Sequence, residues 1–109
     1  MNREKFNLHV EEVMERTKKI LLKKGEEYAK TEDVFHNFNN ATGISLHESN
    51  TAVAWEFLVK HLQSIKDIIT THEETCLELP KQELIEEKFG DAINYLILIE
   101  GMFKEKLKK

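Results

Sequence analysis

Apolar positions along the chain recur at steps of three and four through three long stretches, which predicts three helices joined by two polar segments. The first stretch runs from about Asn2 to Lys24, with Phe6, Val10, Val13, Met14, Thr17 and Leu21 on one face, and Gly25 marks its bend or end. Residues 25–45 set Tyr28, Phe35 and Phe38 among Asp, Asn, Thr and Gly, the composition of an ordered loop or short helix whose aromatics need a surface to pack on. Ser45-Leu46-His47-Glu48 has the S-x-x-E form of a capping box, in which serine and glutamate side chains satisfy free N–H groups at a helix start. A second helix is therefore expected from there to about Thr70, with Val53, Ala54, Phe57, Leu58, His61, Leu62, Ile65, Ile68 and Ile69 as its stripe. An acidic, irregular piece from His72 to Leu79 follows. Pro80 then suits the first turn of a third helix reaching about Leu107, since its missing N–H is not needed there.

The third helix is the informative one. Its main face is Ile85, Phe89, Ala92, Ile93, Leu96, Ile99 and Phe103, but Leu96-Ile97-Leu98-Ile99 is apolar through a whole turn, so its middle is expected to be enclosed on all sides. Glu87, Asp91, Asn94 and Leu98 form a second face, with Tyr95 beside them. Two carboxylates and an amide directed into protein require a partner such as a cation, a metal or a ligand; the alternative reading is that Glu87 is exposed and Asp91 pairs with a lysine. The i, i+4 spacing of Glu87 and Asp91 suits a shared hard cation such as Mg²⁺, although many ordinary helices carry the same pair. On the second helix His61 lies within the apolar stripe and faces the third helix, either as a hydrogen-bonded core residue or as a ligand. Lys60 sits at the stripe's edge. Glu56, Gln63, Asp67 and Thr70 trace the opposite, solvated side.

Composition adds constraints. The chain has 109 residues, enough for one core and short for two, and only four glycines and one proline, which disfavours a turn-rich β architecture. The fold class read from these features is all-α: three long helices plus a short helix or ordered loop within residues 1–109, expected to be completed by oligomerisation. Net charge is −4, and the basic clusters Lys18-Lys19, Lys23-Lys24 and Lys104 to Lys109 read as helix ends, so no nucleic-acid partner is expected. A lone Cys76 excludes an internal disulfide. The longest apolar run is four residues and the N-terminus is polar, so neither a membrane span nor a signal peptide is expected and the reading is a cytoplasmic protein.

Four short motifs now stand in order: Lys24-Gly25-Glu26-Glu27-Tyr28, Asp33-Val34-Phe35-His36-Asn37-Phe38, Lys60-His61-Leu62-Gln63-Ser64-Ile65 and Asp91-Ala92-Ile93-Asn94-Tyr95. They read as K-x-x-D/E-Y, D-x-F-x-N-F, a K-H step before an apolar turn, and D-x-x-N-Y. Over about residues 20–100 this order resembles small phage and bacterial proteins of the nucleotide-modification-associated type, a group similar to the MazG-like all-α nucleoside triphosphate pyrophosphatases and dimeric dUTPases. The resemblance implies a helical homodimer or higher oligomer that uses Mg²⁺ to cleave a nucleoside triphosphate to monophosphate and pyrophosphate. It implies Glu87 and Asp91 as metal ligands and catalytic carboxylates, with Glu27 or Glu56 completing the set. Lys60 would be a catalytic cation on the phosphates. Lys24, Tyr28, Asp33, Asn37, Phe38, His61 and Asn94 would frame the base and phosphates. The family pattern has an E-E-x-x-E run on the second helix where this chain has Trp55-Glu56-Phe57-Leu58-Val59-Lys60, so one glutamate stands where three are expected. Nucleotide binding without cleavage, and a helical interaction protein with no small-molecule site, are the alternative readings.

Overall fold

A computed structural model describes residues 1–28, 33–75 and 79–108, the side chains of 24–28 and 74–75 excepted. Every regular element described is a helix: α1 (Arg3–Tyr28), α2 (His36–Ala41), α3 (Asn50–Thr75) and α4 (Gln82–Leu107). The all-α class and its three long helices plus one short one therefore stand as read. None of the described helices is long and apolar enough to cross a membrane.

The chain divides into two compact units, Met1–Val34 and Phe35–Lys109. In the first, Asn2 opens α1: its Oδ1 accepts the Lys5 N–H at 2.8 Å and its carbonyl accepts the Phe6 N–H at 3.0 Å. Val13, Ile20 and Leu21 are half-buried, while Leu8, Met14 and Leu22 lie in solvent. The helix does not stop near Gly25 but continues to Tyr28. An interior glycine costs a helix only about 1 kcal/mol, and Lys23, Lys24, Glu26 and Glu27 are good helix formers.

The second unit is an antiparallel α3–α4 hairpin with α2 laid on one side. Thr51 meets Lys106 at one end, His61 meets Asp91 in the middle, and Ile69 shares a groove with Ile85 at the other. Val53, Ala54, Leu58, Ala92 and Met102 are buried along it, and Phe35, at the head of α2, is buried against Ala54 and Met102. Gly101 makes room for that ring: a Cβ there would lie 3.1 Å from Phe35 Cζ.

Four sequence expectations are corrected here. The cap of α3 is Ser49, whose Oγ accepts the Ala52 N–H at 3.2 Å, while the Ser45 Oγ takes the His47 N–H in a local turn that precedes the helix. Helix α3 also runs past Thr70 to Thr75. Pro80 stands just outside α4, whose cap is Lys81 in an extended conformation, φ −63° and ψ 148°, with the Leu84 and Ile85 N–H groups donating to its carbonyl. Finally, the middle of α4 is not enclosed, because Leu96 and Ile97 are 54% and 47% exposed.

Candidate functional site

The α3 periodicity that carries Val53, Ala54 and Leu58 into the core turns His61 toward α4 at the next step. There its imidazole stacks on Tyr95 with ring centroids 5.1 Å apart and planes 28° from parallel, and its Nδ1 lies 3.6 Å from Asp91 Oδ2. Tyr95 and Asp91 are one turn apart on α4, so both reach the same imidazole. Phe57, one turn before His61, stacks on Tyr95 at 6.3 Å, and Phe38 from α2 meets both Phe57 and Tyr95 edge-on at 6.3 and 6.1 Å. Edge-to-face and offset-stacked pairs are the geometries the ring quadrupoles favour. Lys60 closes the group, its Nζ 5.5 Å from the centre of the Phe57 ring.

Electrostatically this cluster is a carboxylate, an imidazole and an ammonium around a half-buried aromatic face. Burial, and secondarily the negative charge of Asp91, push the Tyr95 hydroxyl above the ordinary tyrosine range, so it remains a neutral hydrogen-bond donor. One turn beyond Asp91, the Asn94 Oδ1 is buried with no hydrogen-bond donor among the described residues, as is Asn50 Oδ1 at the start of α3. An unpaired buried acceptor is costly and attracts an N–H or O–H group.

The sequence-predicted residues thus separate. His61, Asp91 and Phe38 come together with Lys60 at the edge, and Asn94 is half-buried on the same helix. Asn37 is exposed on α2, and Asp33 is exposed in the other unit. Glu87 points to solvent rather than into protein, and Glu56 is drawn to His47, with 3.5 Å between carboxylate and imidazole. Gln63, Asp67 and Thr70 lie on the solvated side as expected, with Gln63 donating to Asp67 at 2.8 Å. The side chains of Lys24, Glu27 and Tyr28, and Cys76 altogether, fall outside the described residues. Two members of the cluster, Phe57 and Tyr95, were not among the predicted site residues. The signal that could have found them is their spacing of four from His61 and Asp91.

Magnesium prefers near-octahedral oxygen coordination and is usually held through carboxylates. Among the described residues no three Asp, Glu, His or Cys side chains converge, and the side chain of Glu27, one of the expected ligands, lies outside them. Comparison of the chain with protein-family models, with curated proteins and with solved structures finds no match.

Proposed function

We propose that the chain binds a nucleotide at the His61–Asp91–Tyr95 cluster. The observation that carries this reading is the His61 imidazole, stacked on the Tyr95 ring and 3.6 Å from the Asp91 carboxylate. Aromatic faces accept a base by stacking whatever its identity, at about 1 to 3 kcal/mol per base. Lys60 and an imidazole N–H can meet phosphate oxygens. The motif resemblance to the MazG-like pyrophosphatases supports the same ligand class. Glu87 lies in solvent and Glu56 pairs with His47, which favours binding ahead of Mg²⁺-dependent hydrolysis.

The test is the thermal midpoint of the purified protein against a panel of ribo- and deoxynucleoside triphosphates, in Mg²⁺ and in EDTA, with each mixture assayed for pyrophosphate. A ligand at a hundred times its Kd stabilises the folded state by about 2.7 kcal/mol, a shift on the order of 10 °C for a domain of this size. The expected outcome is a shift that persists in EDTA and disappears in Asp91→Asn, with the nucleotide recovered intact. Pyrophosphate released only in Mg²⁺ would make the protein a pyrophosphohydrolase instead. No shift with any nucleotide overturns the proposal.

A further inference from the structure

The rings of the α3–α4 cluster are not equally open. Tyr95 is half-buried and stacked against both His61 and Phe57, with centroids 5.1 and 6.3 Å away, and Phe38 is half-buried with its edge toward Phe57 and Tyr95. Phe57 belongs to the same stripe as the buried Val53, Ala54 and Leu58, yet it is 39% exposed. One turn on, the ammonium of Lys60 stands over the Phe57 ring, 5.5 Å from its centre. Lys60 is itself exposed, so the ring surface beneath its ammonium is the one turned to solvent. Among the described residues no carboxylate is ion-paired to Lys60, and the ring is what its charge rests on.

A base and an ammonium compete for such a face. At an exposed site a cation over a ring is worth a factor of about two to five, whereas stacking of a base is worth about five to a hundred. The base therefore displaces the ammonium, and a nucleoside without phosphate loses the smaller factor in doing so. A phosphorylated one recovers it, because the displaced ammonium, on a flexible stem one turn from the ring, gains phosphate oxygens as partners.

Resting on the nucleotide reading, we propose that the base stacks on the Phe57 ring in the place held by Lys60 Nζ, and that Lys60 moves from the ring to the phosphate. Phe57 is then the base platform and Lys60 the residue that selects phosphorylated nucleosides against free ones. The exchange needs no metal, since the cation that meets the phosphate is the one the base releases.

Proton NMR of the full chain in EDTA tests it, with adenosine, guanosine, cytidine and thymidine each titrated beside its 5′-monophosphate and 5′-triphosphate. A ring shields protons above its face, so the Lys60 ε-methylene protons are expected upfield of those of other lysines in the free protein. They return to the ordinary lysine position as a nucleotide binds, while the Phe57 ring protons shift in the same titration. Lys60→Ala, at an exposed helical position, uncovers the ring and removes the charge. It is expected to weaken nucleotide binding about tenfold and to strengthen nucleoside binding about twofold to fivefold. A damaged fold weakens both, so the opposite signs do not arise from a structural effect. Nucleotide binding that leaves the Lys60 methylene protons unmoved, or a Lys60→Ala protein whose nucleoside and nucleotide affinities change in the same direction, overturns the exchange and leaves nucleotide binding standing. Absence of binding by every member of the panel overturns both.

Discussion

Two glycines on α4 face opposite circumstances. A Cβ at Gly90 meets no heavy atom within 4 Å, so Gly90→Ala is expected to raise stability by about 0.5 to 1 kcal/mol through helix propensity and a less flexible unfolded chain. A Cβ at Gly101 would stand 3.1 Å from the Phe35 ring, which is itself buried, so the same propensity gain is offset by overpacking and Gly101→Ala is expected to be neutral or destabilising. Urea unfolding of both variants measures the contrast. Tyr95 carries a pH dependence of its own. Burial and Asp91 raise the folded-state value of its hydroxyl above the unfolded value of about 10. The neutral ring's contribution is therefore complete below pH 10 and is lost as pH rises through the folded value. Thermal midpoints between pH 9 and 11 are expected to fall more steeply for the wild type than for Tyr95→Phe. At this scale the sequence disclosed that His61 turns toward α4 and that Asp91 turns into the protein, because helical period alone fixes their side, but not that the two meet. It did not disclose the fate of Glu87, since one position of difference on the helix decides between protein and solvent.

Element ends depend on competing local hydrogen bonds, and the start of α3 illustrates this. Ser45 has the acidic residue three positions on that marks a capping box, and Ser49 has alanine there, yet Ser49 is the cap. The Ser45 hydroxyl is engaged two residues ahead by His47, so the motif closes a turn instead of opening a helix. Ser49→Ala is accordingly expected to lower stability by about 1 kcal/mol and Ser45→Ala by a few tenths, both readable from thermal unfolding. The existence of all three long helices was legible in their periodicity, which integrates over many residues. Their ends were less so, because Gly25, Thr70 and Pro80 each signal a boundary only weakly against strong helix formers on either side. The short helix α2 was read as part of an ordered loop or short helix, and six residues offer no more than one turn and a half of pattern.

For the whole molecule, the run Leu96 to Ile99 shows how one pattern carries two meanings. Apolar residues around a full turn predicted enclosure, and within the chain Leu96 and Ile97 remain exposed. Hydropathy records what a surface prefers and not what covers it, so the apolar run was legible and its exposure within the chain was not. The hairpin's arrangement also bears on the order in which it forms. Ile69 and Ile85 flank the α3–α4 connection, whereas the Lys106 to Thr51 hydrogen bond at the opposite end joins residues 55 apart. Closing the larger loop from an open chain costs about 1 kcal/mol more in entropy than closing the smaller one. The helices therefore gain contacts most readily beside their connection and zip outward toward the end where Lys106 meets Thr51 and Phe35 meets Gly101.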